Sequence, residues 1–139
     1  MIFRQLFEPI SSTYTYLLGS EETGEAILID PVIVTQDRDL AEVARLALRL
    51  AWTVETHVHA DHITGAIELR KRTGCKVAAP APEYLACADL PLLEGQPLQV
   101  GGIALMPLHT PGHTSGHFAY VVDGRVFTGD ALLIDGCGR

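Results

Sequence analysis

The spacing of apolar positions changes period several times along the 139-residue chain. Met1-Ile2-Phe3-Arg4 runs directly into strand-like sequence, and Ser12 to Leu18 alternates with Tyr14 and Tyr16 on one face, the period of a half-buried strand. Ser20 to Gly24 is a polar turn. Ala26-Ile27-Leu28-Ile29 predicts a short buried strand that stops at Asp30-Pro31, because proline cannot continue a ladder. The period then lengthens. Leu40, Val43, Ala44, Ala47 and Leu50 recur at helical spacing, predicting an amphipathic helix over residues 37–51 with Asp37 and Asp39 at its positive end.

A strand is expected over 52–58, a turn over 59–61, and a helix over 62–73 closed by Gly74. A strand over 76–79 and a short proline-initiated helix over 82–88 follow. The back half reads as an antiparallel meander over 97–100, 103–108, 117–122 and 125–128, with Asp123-Gly124 as the last hairpin turn. This order predicts one α/β (α+β) domain spanning 1–139, sheet packed on sheet with helices outside.

Composition narrows the function classes. Ten basic against seventeen acidic side chains leave a net charge of -7, which argues against a nucleic-acid surface. The only basic run, Arg70-Lys71-Arg72, fits the solvated last turn of a helix. Mean hydropathy is +0.21, yet no apolar run approaches the roughly 20 residues of a membrane-spanning helix. The three cysteines, Cys75, Cys87 and Cys137, form no C-x-x-C pair, and no leader precedes the first strand, so a cytoplasmic location is expected. Cys75 and Cys87 are expected to be packing residues, and the scattered carboxylates solvated.

All six histidines lie between positions 57 and 117. In Thr56-His57-Val58-His59-Ala60-Asp61-His62, His57 and His59 share one side of an extended chain, with Asp61 and His62 just beyond, so the segment can line two adjacent metal positions. In His109-Thr110-Pro111-Gly112-His113-Thr114, Pro111-Gly112 predicts a tight loop that presents His113, the glycine permitting close backbone approach. Gly129-Asp130 follows a buried apolar strand, where a carboxylate is costly unless paired or metal-bound. Imidazoles and a carboxylate on three strand-end loops point to a metal site. His109 and His117 are expected to be hydrogen-bonded outer partners or simply exposed, and Cys137 either an outer partner or a packing residue.

These three motifs, with Thr128 before Gly129-Asp130, resemble the metallo-β-lactamase superfamily, whose fold is an αββα sandwich. Two subfamilies are similar: the glyoxalase II hydrolases and the persulfide dioxygenases. Ala60 followed by Ile63-Thr64-Gly65, and Asp130-Ala131-Leu132-Leu133-Ile134, resemble the dioxygenases. The resemblance implies that His57, His113 and Asp130 hold one Fe(2+) per chain, zinc being possible. The implied reaction oxidises glutathione persulfide with O2 to sulfite and glutathione. His59, Asp61, His62, Thr114 and Cys137 would support the site or a second metal, and Arg139 would bind substrate.

The alternative is a dinuclear zinc hydroxyacylglutathione hydrolase, in which His59, Asp61 and His62 become ligands; an inactive metal-binding domain is a third. Family domains continue past Gly136-Cys137-Gly138-Arg139, so the chain is expected to be the N-terminal part only. The apolar sheet face this leaves would be covered by a partner or by a homo-oligomer.

Overall fold

The computed structural model describes residues 1–138. Two sheets face each other. The first contains β1 (Ile2–Glu8), β2 (Thr13–Gly19), β3 (Glu25–Ile29), β4 (Arg49–Val54), β5 (Lys76–Pro80) and β6 (Leu90–Leu92), in that spatial order. Its first three strands pair antiparallel, whereas β3 to β6 run parallel. Helices α1 (Gln36–Arg45) and α2 (Ala66–Thr73) make the β3–β4 and β4–β5 crossovers. The second sheet, ordered β10-β9-β8-β7, comprises β7 (Leu98–Val100), β8 (Ile103–His109), β9 (Phe118–Val122) and β10 (Arg125–Phe127). Asp123 and Gly124, at φ 49 and 72, make the mirror-image hairpin turn that matches strand twist. A small hairpin, β11 (Leu132–Leu133) with β12 (Gly136–Cys137), closes the described chain.

Leu18, Ile27, Ile29 and Val54 from the first sheet meet Leu105, Phe118, Tyr120 and Phe127 from the second, forming the main core. A smaller core of Leu17, Leu28, Val43, Leu50 and Leu69 seals the helices onto the first sheet's other face. Helix, sheet and sheet thus form three layers. The second sheet's outer face leaves Leu108 and Val126 exposed. Among the described residues, no helix is long and apolar enough to cross a membrane.

Several elements differ from expectation. The first helix ends at Arg45, not residue 51: Ala47 turns left-handed at φ 55, and Leu50 is buried as a strand residue in the same core as Val43. Helical and strand periods overlap there, since both serve one apolar face. The strand expected over 52–58 stops at Val54, because the Thr56 N–H goes to the Asp30 carboxylate instead of a ladder. The helix expected from His62 starts at Ala66; residues 63–65 are held by backbone bonds to Pro31 and Ile33. Gly74 closes it at φ 75, as expected. The 82–88 helix is only a 3-10 turn, Ala81–Glu83, and β6 was not anticipated.

Candidate metal centre

The ends of three loops meet above the edge between the sheets. His57 leaves β4, His113 lies on the loop joining β8 to β9, and Asp130 sits on the 3-10 turn Gly129–Ala131 after β10. Asp130 Oδ2 lies 3.4 Å from His113 Nε2 and 3.9 Å from His57 Nε2. The imidazoles meet edge to face, centroids 4.9 Å apart. The three expected ligands therefore converge, with ligand atoms all within 4.8 Å of one another. One ion at about 2.0–2.3 Å from each can span such separations.

The state of His57 follows from its neighbours. Asp30 is a buried carboxylate, and an ionised carboxylate only accepts hydrogen bonds. It takes the Thr56 N–H at 2.7 Å and the Thr56 hydroxyl proton at 2.8 Å. Thr56 Oγ1 therefore has no proton left for His57 Nδ1, 2.9 Å away, and must accept from it. The proton on Nδ1 leaves the Nε2 lone pair bare, and that buried atom has no hydrogen-bond partner among the described residues. Burial, then the charge on His59, lowers the His57 pKa to about 3, keeping the ring neutral. A buried, neutral, unpaired imidazole nitrogen beside a carboxylate fits a metal ligand. His117 stacks on the His57 ring, centroids 4.9 Å apart, and is fully buried. Of the two roles expected for these histidines, exposed or hydrogen-bonded, His117 is buried with Nδ1 2.8 Å from Thr110 Oγ1, and His109 is exposed with Nε2 2.9 Å from the Ser115 carbonyl.

Close neighbours demand glycine at 129 but not at 112. Gly129 has φ 47, and a Cβ there would lie 2.5 Å from Thr56 Oγ1 and 2.7 Å from His117 Nε2. A Cβ on Gly112 meets nothing within 4 Å among the described residues.

His59, Asp61 and His62 form a second group within 4.8 Å. His59 also belongs to a third, with Asp30 and Glu55. Its Nε2 lies 3.1 Å from Asp30 Oδ1 and 3.3 Å from Glu55 Oε2. Burial alone would lower the His59 pKa, but the two carboxylates push it up to about 11. Burial also opposes ionisation of Asp30; the His59 charge and the bonds from His59 and Thr56 prevail and hold its pKa low. His62 Nδ1 contacts Asp61 Oδ2 at 3.2 Å and Thr13 Oγ1 at 3.2 Å. A cavity of about 80 Å³ touches the triad through His57 and is otherwise lined by residues that include Val58, His59, His62 and Leu85.

Thr114 donates to Glu83. Cys137 is exposed on β12 and outside these ligand groups, while Gly138 lies against the Asp130 carbonyl and His113 Cβ. Arg139 lies outside the described residues. Cys75 is buried and packs as expected, with Cys87 half-buried. The expectation that scattered carboxylates are solvated is corrected: Glu8, Asp30, Asp39 and Glu55 are all buried. Asp30 carried a readable signal, because it ends the buried apolar strand β3, whereas the strand expected to be buried before Asp130 exposes Arg125 and Val126 and leaves Asp130 only half-buried. Glu83 carried none, since its partners Thr114 and Val58 come from loops distant in sequence, whereas the partners of Glu55, His59 and Thr64, lie nearby.

Comparison with known proteins places this geometry. The sequence pattern described as "Metallo-beta-lactamase superfamily" matches residues 9–139. The chain is 47% identical over 142 residues to the protein named "Persulfide dioxygenase ETHE1, mitochondrial" of Homo sapiens, covering 100% of this chain and 56% of that one. It is 38% identical to the hydroxyacylglutathione hydrolase of Pseudomonas putida strain W619, covering 93% of this chain and 51% of the relative. The crystal structure of ETHE1 from Myxococcus xanthus superposes with a TM-score of 0.97 at 50% identity, covering 100% of this chain and 61% of that one. The chain thus spans little more than half the length of the curated relatives it matches.

Proposed function

The chain belongs to the metallo-β-lactamase superfamily, and from that premise we propose that it is the metal-binding part of an iron-dependent persulfide dioxygenase. His57, His113 and Asp130 are the proposed ligands of one Fe(2+) per chain. The observation that carries this reading is the donor set: two imidazoles and one carboxylate converge, with the buried His57 Nε2 unpartnered. Such a set leaves positions open on one ion, the arrangement of non-heme ferrous oxygenases. A bound ferrous ion there supplies the redox chemistry by which O2 and a persulfide sulfur react. Glutathione persulfide, O2 and water become glutathione, sulfite and protons.

The chain's own residues prepare that chemistry. Thr56 fixes the His57 proton on Nδ1, His117 backs the ring, and Gly129 lets the Asp130 turn approach both. The cavity of about 80 Å³ that His57 lines has room for a terminal sulfur or O2. Arg139 is proposed to hold a substrate carboxylate. Residues 1–139 are proposed as one domain, and the three free cysteines fit a reducing cytoplasm. A second copy is one candidate for covering the exposed Leu108 and Val126.

A second reading has its own observation. The His59–Asp61–His62 group can hold another ion, as a dinuclear zinc thioesterase requires. The higher identity to persulfide dioxygenases, 47% against 38%, favours the first.

The deciding experiment loads the protein with Fe(2+) or zinc, counts metal per chain, and measures O2 uptake with glutathione persulfide and hydrolysis of S-lactoylglutathione. We expect one metal per chain and O2 uptake. Rapid thioester hydrolysis without O2 uptake in the iron form overturns the dioxygenase reading. Arg139→Ala is expected to raise KM more than it lowers kcat, because a remote carboxylate contact contributes mainly uniform binding.

A further inference from the structure

Glu83 spends each of its carboxylate oxygens on a different ligand loop. Oε1 accepts the Thr114 hydroxyl at 2.6 Å, and Oε2 accepts the Val58 N–H at 3.3 Å. Thr114 directly follows His113, and Val58 lies between His57 and His59. The loop after β4 leaves the first sheet, and the loop between β8 and β9 belongs to the second. One half-buried side chain thus ties the histidine loop of each sheet to that of the other.

Its mount is stiff. Glu83 ends the 3-10 turn Ala81–Glu83, which carries Pro82 in its first positions, starts directly after β5, and is closed by the Tyr84 N–H on the Ala81 carbonyl at 3.2 Å. Gly116, on the His113 loop, lies flush against the carboxylate: a Cβ there would sit 2.6 Å from Glu83 Oε1.

We propose that Glu83 is a positioning residue that clamps the His57 and His113 loops together, so that their Nε2 atoms face one ion beside Asp130. The inference rests on the reading of that group as a metal centre. The clamp is a matter of hydrogen-bond geometry, not of charge. The Val58 N–H can only donate, whereas the Thr114 hydroxyl can donate or accept. Glutamine at 83 satisfies both, with its carbonyl on Val58 N–H and its NH2 group on the Thr114 oxygen; alanine satisfies neither.

The test uses the full chain, stripped of metal and titrated with Co(II) alone against a chelator, with amide exchange at Val58 read in parallel. Glu83→Ala is expected to weaken Co(II) binding by about 10–100-fold, the range for outer partners of a metal site, and to speed Val58 exchange. Glu83→Gln is expected to remain close to wild type in both. Thr114→Val should weaken binding less than Glu83→Ala and add little in the double variant, because the shared bond is already gone.

Wild-type affinity in Glu83→Ala, equal losses in Glu83→Gln and Glu83→Ala, or full additivity with Thr114→Val each overturn the clamp. If Glu83→Ala does not fold, Glu83→Gln and Thr114→Val decide: losses in Thr114→Val with Glu83→Gln intact support the clamp. A wild-type chain that binds no Co(II) or Fe(2+) overturns the metal-centre reading itself, a result distinct from a bound but Glu83-indifferent ion.

Discussion

His57 and His59 stand on one loop with ring centroids 4.1 Å apart, and the fold gives them opposite chemistry. Behind His57 is the Thr56 hydroxyl, already donating to Asp30, so the ring is neutral with Nε2 bare. Behind His59 are two buried carboxylates, so the ring is a cation with its Nε2–H engaged. A run of alternating histidines therefore does not by itself say which ring can ligate. The group on the far side of each ring decides.

The comparison breaks most directly by removing each ring in turn. His57→Ala should reduce metal affinity beyond the roughly 100-fold upper range for an outer partner, as read by chelator competition. His59→Ala should act first on folding, since it leaves Asp30 and Glu55 buried without their cation. A loss of about 3–5 kcal/mol is expected in denaturant unfolding of the metal-free chain. Equal effects on metal binding from the two variants would dissolve the distinction.

Thr56→Val tests what keeps Nε2 bare. It removes the oxygen that receives the Nδ1 proton, and metal affinity should fall by about 10–100-fold, with Thr56→Ser restoring most of it. An unchanged affinity in Thr56→Val would mean that the hydroxyl does not set the tautomer.

The smallest effect per step is in pH. His59, raised from 6.5 to about 11, holds a proton in the folded chain that the unfolded chain has released, so its contribution is full below 6.5 and lost as pH rises through 11. His57, lowered to about 3, stays neutral where the unfolded chain takes up a proton, so stability falls as pH drops from 6.5 toward 3. Metal-free protein should lose stability on both sides of neutrality, by at most about 1.4 kcal/mol per pH unit for each ring. His59→Gln should flatten the alkaline limb and also move the acid limb, because the His59 charge helps hold down both His57 and Asp30. An alkaline limb that persists in that variant assigns it to another group.

Much of the fold was legible because apolar periodicity records which face is buried. The Tyr14–Tyr16 face, the Asp123-Gly124 turn and the Gly74 cap all formed where local chemistry placed them. The misplaced boundaries fall where side chains compete with the ladder. Thr56 gives its N–H to Asp30, and residues 63–65 bond to the segment after β3, so strand and helix both shorten around the site. Ala47 ends a helix that hydrophobic spacing alone extended to Leu50, because strand and helix were pointing apolar residues at one core.

The sequence by itself determined the donor types and their place at strand ends, since His57, His113 and Asp130 were nameable from residue identity, turn chemistry and the cost of burying a carboxylate. Only the tertiary structure decided the state of each donor. Asp30 reaches Thr56 across 26 positions and Glu83 reaches Val58 across 25, and no local pattern encodes such pairings. Protonation and ring orientation depend on field and hydrogen bonding at a few ångströms, and those distances exist only once both sheets have packed.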